Sequence, residues 1–191
     1  MAKPLALTSG EPAGIGPDIA IAAWLRRKEL DLPPFYLLGD RAFFTGRAEI
    51  LGLKVELVSA SVPTGETATA RPAQPDETSA SAALASIRHA VDHVRAGRAG
   101  AVVTNPIAKS VLYRAGFRHP GHTEFLAELA ANGGRPPQPV MMLWSPELAV
   151  VPVTIHLSLR EALAELSTEL IVSTARIAVA DLAARFGLAR P

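Results

Sequence analysis

The chain has 191 residues and a formal net charge of +1, because 19 lysines and arginines are offset by 18 aspartates and glutamates. This balance supplies no broad basic face for nucleic acid and no polybasic membrane anchor, so any anion must be held locally. The absence of cysteine excludes disulfides, thiolate metal sites and a cysteine nucleophile, and it fits a reducing cytoplasm. With 49% hydrophobic residues, no signal peptide and no uninterrupted apolar span, the sequence predicts a soluble cytoplasmic protein.

The first part of the chain alternates between strand and helix patterns. Residues 5–9 predict a short buried strand, and the glycine- and proline-rich turn after it opens a helix with Pro17 in its first turn. Phe35–Leu38 predicts a second strand, Asp40 caps the next helix, and residues 54–58 predict a third strand. The β-α-β-α-β order indicates an α/β fold.

The middle of the chain continues this alternation after one irregular segment. Residues 59–77 are rich in proline and small polar residues, which predicts a loop. Residues 78–95 place apolar side chains at helical spacing, and Gly97 supplies a stop signal. The apolar run Ala101–Val103 predicts a buried strand, and residues 124–131 predict a further helix.

The last third of the chain predicts a hairpin followed by two helices. Residues 140–144 and 149–153 flank a Ser-Pro-Glu turn and predict a β-hairpin that ends beside His156. The alanine-rich stretch 159–186 predicts a short helix and a long one, with a break near Ser167. A doubly wound pattern would next place a strand, so we expect the chain to be part of a longer polypeptide.

The densest group of site-type side chains lies in residues 104–124. The preceding strand would deliver Thr104, Asn105 and Lys109 to the carboxyl end of the sheet, where open α/β sheets bind ligands. A lysine in the first turn of a helix lies beside a positive helix terminus, so an anionic ligand would offset its charge. A solvated surface lysine would give the same pattern.

His122 and Thr123 form the second candidate group. A turn at Pro120-Gly121 precedes them and a helix follows, which places an imidazole, a hydroxyl and free amides in one small volume. An oxygen-rich substrate could bind there. The alternative is that Thr123 only caps the helix while His122 packs against its neighbours.

His156 is a candidate metal ligand because it ends an apolar, strand-like segment. One imidazole cannot hold a divalent ion, so further ligands must come from elsewhere in the protein or from another chain. The alternative is a core histidine that is hydrogen-bonded to a backbone carbonyl.

Other residues give weaker signals. The glycine-rich turn 10–18 could bring backbone amides to an anion or could simply be a tight turn, and Ile19 replaces the third glycine of the dinucleotide fingerprint. His89 and His93 have a metal-type spacing but face away from the apolar stripe of their helix, which predicts solvated surface. His119 is expected to be exposed.

Four ordered motifs carry a resemblance to a known family. They are Gly-Glu-Pro-Ala-Gly-Ile-Gly-Pro-Asp at 10–18, Thr-Asn-Pro-Ile-Ala-Lys at 104–109, Gly-His-Thr-Glu at 121–124 and Val-Thr-Ile-His-Leu-Ser-Leu-Arg at 153–160. Together they resemble the 4-hydroxythreonine-4-phosphate dehydrogenases of pyridoxal phosphate biosynthesis. The resemblance spans the whole chain but matches only the N-terminal part of that family's usual two-domain length.

The resemblance implies a three-layer α/β/α fold similar to isocitrate and isopropylmalate dehydrogenases, truncated before the second domain is complete. Residues 1–137 would form the first domain with the substrate-binding motifs. Residues 138–191 would begin the second domain, with long helices at a dimer interface. The family further implies NAD, a divalent metal (Zn, Mg or Co) and a homodimer with shared active sites.

The motifs also imply roles for individual residues. His122 and Thr123 would bind the phosphorylated substrate, and His156 would be one of three histidine metal ligands drawn from two subunits. Lys109 matches the family's lysine position and would act in catalysis as a proton donor or an anion contact. Most of the NAD site, the other two metal-binding histidines and the basic residues for the substrate phosphate would lie in later segments of the family's sequence.

The implied reaction is the oxidation of 4-phosphohydroxy-L-threonine by NAD, with decarboxylation to 3-amino-2-oxopropyl phosphate. One alternative is a sister dehydrogenase acting on 4-phospho-D-threonate or 4-phospho-D-erythronate. Another is a phosphate-binding acyltransferase of similar fold, which would need neither NAD nor a metal. A third is a non-catalytic module for dimerisation and partial binding, and we expect the 191 residues alone to be inactive.

Overall fold

The computed structural model describes residues 3–54 and 61–188. The chain divides into two compact units, Met1–Pro137 and Gln138–Pro191. The first unit contains, in chain order, β1 (Leu5–Thr8), α1 (Gly16–Arg26), β2 (Phe35–Leu38), α2 (Arg41–Ile50), β3 (Ser61–Val62), α3 (Glu77–Arg95), β4 (Ala101–Val103), α4 (Lys109–Arg114) and α5 (His122–Ala131).

The strands of the first unit form one parallel sheet in the order β3-β2-β1-β4 within the described residues. Leu7 in β1 pairs with Leu37 on one side and with Val103 on the other. Helical crossovers connect the strands, as parallel pairing requires. The α/β architecture predicted from the sequence is therefore confirmed.

Helices cover both faces of this sheet. On one face α1 and α2 bury the core cluster Leu7, Ala20, Ile21, Leu37, Phe44 and Ala48. On the other face α3 packs on the sheet around Ala6, Leu38, Ala90 and Ala99. A third cluster joins α3 to α4 and α5 through Ala80, Ala83, Ile87, Val111, Leu112, Phe117 and Phe125.

Local signals set the starts of several helices. Asp40 caps α2 by accepting a hydrogen bond from the amide of Ala42 at 2.8 Å, as the sequence predicts. Asp76 caps α3 in the same way through the amides of Thr78 and Ser79. These caps satisfy amides that have no partner within the helix.

The predicted strand at 54–58 falls largely outside the described residues. Two other strand predictions need correction. The short strand β3 (Ser61–Val62) lies within the predicted loop 59–77. The predicted buried strand, β4, lies at an edge of the described sheet, and its Ala101 and Val103 are exposed. A local apolar run predicts that a strand forms. Whether that strand is covered by neighbouring strands depends on the order of strands in the sheet.

The second unit contains a short hairpin and two helices. It consists of β5 (Leu143–Trp144), β6 (Ala149–Val150), α6 (Leu159–Glu165) and α7 (Thr168–Phe186). The hairpin is shorter than predicted, because Pro152 has no N–H to continue the ladder. A capping box at Ser158 and Glu161 starts α6, and Ser167 starts α7 at the predicted break.

No helix among the described residues is long and apolar enough to cross a membrane.

Candidate active site

The site begins where the strand order of the sheet reverses. The chain runs from β1 to β2 and β3 on one side and then returns to place β4 on the other side of β1. In open α/β sheets, ligands bind outside the carboxyl ends of the strands at such a switch point. The turn after β1 and the segment after β4 both start here.

Hydrogen bonds fasten these two segments to each other. The amide of Asn105 donates to Oγ1 of Thr8 at 3.0 Å, and Nδ2 of Asn105 donates to the carbonyl of Thr8 at 2.7 Å. The amide of Glu11 donates to the carbonyl of Pro106 at 2.8 Å. Thr8 and Asn105 are both buried, so the contact between the two segments lies in the interior of the unit.

Glycine is required on one side of the junction. Gly10 has φ +67°, and a Cβ there would lie 2.6 Å from both the Cβ of Asn105 and the carbonyl oxygen of Pro106. A Cβ on Gly16 would lie 2.8 Å from the carbonyl oxygen of Ser9. Close backbone packing explains these glycines, which supports the tight-turn alternative for this motif.

Lys109 is the first residue of α4, as predicted, and its side chain is exposed. Its Nζ lies 3.7 Å from the position that a Cβ on Gly121 would occupy. Gly121 is the N-cap residue of α5, so the ammonium group approaches the start of that helix. The structure thus brings Lys109 and His122 into one neighbourhood.

The start of α5 has no side-chain cap. The N-cap residue is Gly121, and Thr123 is the second residue inside the helix, which makes the capping alternative for Thr123 wrong. The first amides of a helix have no intrahelical partners, and they carry the positive end of the helix dipole. An anion held by Lys109 would meet these amides.

His122 is half-buried at the same place, and its Nε2 is buried with no hydrogen-bond partner within the described part of the chain. Burial, and then the nearby Lys109 ammonium, lower the pKa of His122 below its ordinary value. The imidazole is therefore neutral near pH 7. A neutral ring with a free nitrogen can hydrogen-bond to a substrate hydroxyl.

Two other histidine predictions were wrong. His119 is half-buried rather than exposed, with its ring against Phe117 and Phe125 and its Nε2 3.1 Å from Glu128. His93 is not simply solvated, because its Nδ1 lies 2.6 Å from the hydroxyl of Tyr36. The contacts of His119 with Glu128 and of His93 with Tyr36 join residues 9 and 57 positions apart, so local sequence patterns could not reveal them.

Sequence reasoning also missed Glu11 as a notable group. Its side chain is buried, Oε1 accepts from the amide of Ala13 at 3.0 Å, and Oε2 has no hydrogen-bond partner among the described residues. The only signal in the sequence was a glutamate between Gly10 and Pro12, and this pattern is equally typical of an ordinary turn.

His156 belongs to the second unit and is exposed. It does not end a strand, because β6 finishes at Val150, and its backbone is left-handed with φ +58°. The core-histidine alternative does not hold for an exposed ring. Within residues 3–54 and 61–188, no three histidine, aspartate or glutamate side chains cluster as a metal site, so His156 is a single donor here.

Comparison with known proteins places the chain in a family. The family model described as "Pyridoxal phosphate biosynthetic protein PdxA" matches residues 32–191. The chain belongs to this family. The PdxA relatives include proteins named 4-hydroxythreonine-4-phosphate dehydrogenase from Bradyrhizobium diazoefficiens, 67% identical over 100% of this chain and 61% of the relative, and from Methylorubrum populi, 54% identical over 99% of this chain and 59% of the relative.

Solved structures of PdxA proteins show the same fold. A 4-hydroxythreonine-4-phosphate dehydrogenase from Klebsiella pneumoniae matches with TM-score 0.83 and 28% identity, covering 100% of this chain and 62% of its own. One from Burkholderia phymatum matches with TM-score 0.84 and 24% identity, covering 100% and 61%. These likenesses confirm the expected isocitrate/isopropylmalate dehydrogenase-like fold. The chain spans about three fifths of the length of the curated relatives it matches.

A further structural neighbour carries a different name. A terephthalate 1,2-cis-dihydrodiol dehydrogenase from Burkholderia xenovorans matches with TM-score 0.70 and 28% identity, covering 100% of this chain and 60% of its own. Dehydrogenases named for different substrates therefore share this fold.

Proposed function

We propose that this chain supplies part of the active site of an NAD- and divalent-metal-dependent dehydrogenase of pyridoxine and pyridoxal phosphate biosynthesis. The reaction is oxidation of 4-phosphohydroxy-L-threonine with decarboxylation to 3-amino-2-oxopropyl phosphate. The observation that carries this proposal is the pairing of Lys109 with the uncapped start of α5, where His122 has a free nitrogen, in a chain of the PdxA family.

Lys109 and the first amides of α5 form the anion-binding part of the proposed site. An ammonium group and a helix N-terminus both favour a negatively charged ligand. The substrate offers two such groups, a phosphate and a carboxylate. Lys109 would bind one of them or donate the proton that replaces the carboxyl group after carbon dioxide leaves.

His122 and Thr123 form the hydroxyl-recognising part of the proposed site. The lowered pKa of His122 keeps its ring neutral, so Nε2 can accept a hydrogen bond from a substrate hydroxyl or donate one to an oxygen, depending on the tautomer. The half-buried Thr123 hydroxyl adds a second partner beside it. Together they would orient the carbon that loses hydride to NAD.

His156 fits a metal-binding role as one nitrogen donor. Its ring is exposed, and imidazole suits Zn²⁺ or Co²⁺ better than Mg²⁺. Because no metal cluster forms within the described residues, the remaining ligands would come from outside them. A divalent cation would lower the pKa of the substrate hydroxyl and stabilise negative charge as the carboxylate is lost.

The assembly we propose is a cytoplasmic homodimer with shared active sites, in which residues 138–191 begin the second domain. Large apolar side chains on α6 and α7 and in the hairpin support an interface there, because Leu159, Leu163 and Trp144 are 79%, 70% and 65% exposed. Exposed apolar groups of this size commonly mark a protein interface.

A sister dehydrogenase acting on 4-phospho-D-threonate or 4-phospho-D-erythronate is the second candidate. The terephthalate dihydrodiol dehydrogenase supports this candidate, because that protein has a similar fold and is named for a different substrate. In these acids a hydroxyl replaces the amino group of the first substrate. A site built to bind the amino group would discriminate against them, because a hydroxyl offers fewer hydrogen-bond donors.

The test is an activity assay on an extended protein. The chain is joined at Pro191 to the part of the Bradyrhizobium relative that lies beyond the match, and NADH formation is followed with each of the three substrates and a divalent metal. We expect turnover with 4-phosphohydroxy-L-threonine and a kcat/KM lower by about four orders of magnitude with the other two. The 191 residues alone should give no turnover.

Site variants of the extended protein sharpen this assay. His156→Ala should abolish metal-dependent turnover, and His122→Ala should lower kcat/KM about ten- to hundred-fold through one lost hydrogen bond. His89→Ala serves as the matched control and should change neither. Equal or faster turnover of a phosphorylated sugar acid would support the sister dehydrogenase, and NAD-independent acyl transfer would refute both candidates.

A further inference from the structure

The segment between β4 and Lys109 is anchored by its second residue, Asn105. Asn105 is 5% exposed, and both its backbone amide and its side-chain amide donate to Thr8, at 3.0 and 2.7 Å. Thr8 is fully buried at the end of the central strand β1. Asn105 is thus tied to a rigid part of the sheet.

The turn after β1 closes over the other side of Asn105. The positions that a Cβ would take at Gly10 and Gly16 lie 2.6 and 3.2 Å from the Cβ of Asn105, so there is no room for its side chain to move that way. The hydrogen bond from the amide of Glu11 holds the carbonyl of Pro106. Asn105 is therefore fixed from two directions.

Three residues, Pro106 to Ala108, separate Asn105 from Lys109, and no side chain caps α4 at Ala108. The position of the lysine backbone therefore follows from the position of the segment before it. A small displacement at Asn105 would move the ammonium group away from Gly121, which it now approaches.

We propose that Asn105 is a positioning residue. Through its two hydrogen bonds to Thr8, it holds Lys109 against the start of α5. The catalytic meaning of this placement rests on the function proposed above. The placement itself is a matter of geometry and can be measured without any turnover.

The competing explanation is that α4 is held by its own core packing. Val111 and Leu112 are both fully buried in the cluster shared with α3 and α5, and they could keep Lys109 in place without help. Asn105 would then contribute to folding stability only. A readout that reports the position of Lys109, rather than stability, separates the two explanations.

His122 provides that readout, because the Lys109 charge contributes to its lowered pKa. The pKa of His122 is measured by NMR titration of the 191-residue chain. Lys109→Met should raise it and sets the reference. Asn105→Ala and Thr8→Val should raise it towards that reference, whereas Thr8→Ser keeps the acceptor oxygen and should leave it at the wild-type value.

Glu124 is the second charged group near the start of α5. Its Oε2 lies 3.7 Å from the position that a Cβ on Gly121 would occupy. Glu124 is unchanged in every variant. Gly10→Ala approaches the same anchor from the opposite turn and should give the same rise. Asn105→Ala and Thr8→Val change the anchor at separate residues, which keeps the test usable if one variant fails to fold. Asp40→Ala removes a helix cap elsewhere and controls for a general loss of stability.

The proposal is overturned if Lys109→Met raises the pKa of His122 while the folded Asn105, Thr8 and Gly10 variants leave it unchanged. It is also overturned if Lys109→Met has no effect. Titration with inorganic phosphate in the same samples tests the proposed function separately. A positioning effect without any phosphate response would uphold the role of Asn105 and count against the anion site.

Discussion

His122 and His93 are half-buried imidazoles that the fold keeps neutral. Burial and the Lys109 charge lower the pKa of His122, and burial followed by the Arg98 charge lowers the pKa of His93. The Tyr36 hydroxyl is hydrogen-bonded to Nδ1 of His93. Protonating either ring places a positive charge where solvent is limited and another cation is near.

These two histidines predict that the chain loses stability on mild acidification. Their pKa values are lower in the folded chain than in the unfolded chain, where histidine has its ordinary value of about 6.5. Below that pH the unfolded state binds more protons, so the free energy of unfolding falls until the folded-state pKa values are passed. Urea unfolding at about pH 7.5 and about pH 5.5 measures the difference.

A double variant, His93→Gln with His122→Gln, is the control for this prediction. It should reduce the difference in unfolding free energy between the two pH values. The lowered carboxyl pKa values of Asp76 and Glu161 act at a more acidic pH and should not contribute in this window. An unchanged difference in the double variant would assign the pH dependence to other groups.

The sequence marked candidate site residues by their chemistry and named Asn105 among them, but it did not show the contact through which Asn105 is anchored. Lys109, His122 and Thr123 stand out because charged and polar side chains follow a strand and precede a helix. The pairing of Thr8 with Asn105 could not be read, because it joins residues 97 positions apart and depends on which strands are neighbours. The sequence likewise could not show that Gly121, rather than Thr123, is the N-cap residue of α5.

At the scale of elements, a partly buried ion pair joins α1 to α2. Arg47 in α2 is 6% exposed and contacts both carboxylate oxygens of Asp18 in α1, with Nη2 3.0 Å from Oδ2. The same Nη2 donates to the carbonyl of Gly14 at 3.1 Å. The pair therefore links the second helix to the turn that begins the first.

Removing one partner of this pair should destabilise the chain strongly. Asp18→Ala leaves the Arg47 guanidinium buried without its carboxylate, and we expect the free energy of unfolding to fall by about 3 kcal/mol. Replacing both residues, as Asp18→Ala with Arg47→Met, should recover part of the loss, since no isolated charge remains buried. Urea unfolding of the single and double variants gives both values.

The exposed pair of Arg26 and Glu29 provides the matched control. In this pair the carboxylate of Glu29 contacts the guanidinium of Arg26 in solvent. Glu29→Ala removes that contact and should leave the urea midpoint of unfolding close to wild type. The prediction is contradicted if Asp18→Ala lowers the free energy of unfolding no more than Glu29→Ala does. The Asp18–Arg47 pair would then add no more stability than an exposed ion pair.

Elements were predictable where a local signal fixes them. The Asp40 cap and the Ser167 break gave α2 and α7 nearly at their observed bounds. Pairing is not local, so the exposure of Ala101 and Val103 at the edge of the described sheet was not foreseen. The predicted hairpin was longer than the observed one. The apolar residues around Pro152 suggested that the strand continues to residue 153, but Pro152 has no N–H with which to extend the ladder.

At the scale of the whole molecule, the two units differ in how much they bury. All three hydrophobic clusters lie within Met1–Pro137. In the described part of Gln138–Pro191, Thr174 is the only buried residue, with its hydroxyl hydrogen-bonded to Gln138. Burial of apolar area is the main source of folding stability, so the units should not be equally stable.

We expect a fragment of residues 1–137 to fold alone and a fragment of residues 138–191 not to. The first should unfold cooperatively in urea and keep the His122 resonances of the whole chain. The second should lack cooperative unfolding or self-associate through its exposed apolar side chains. Circular dichroism and two-dimensional NMR on both fragments test this. Cooperative unfolding of a monomeric 138–191 fragment would contradict it.

The contact between Gly10 and the Asn105-Pro106 segment limits how relatives can be recombined. A side chain at position 10 would meet the backbone oxygen of Pro106, so shortening the residue at 105 alone would not make room for it. Grafting residues 104–109 from another protein therefore means grafting its glycine turn as well. Two stretches far apart in the gene behave as a single interchangeable part.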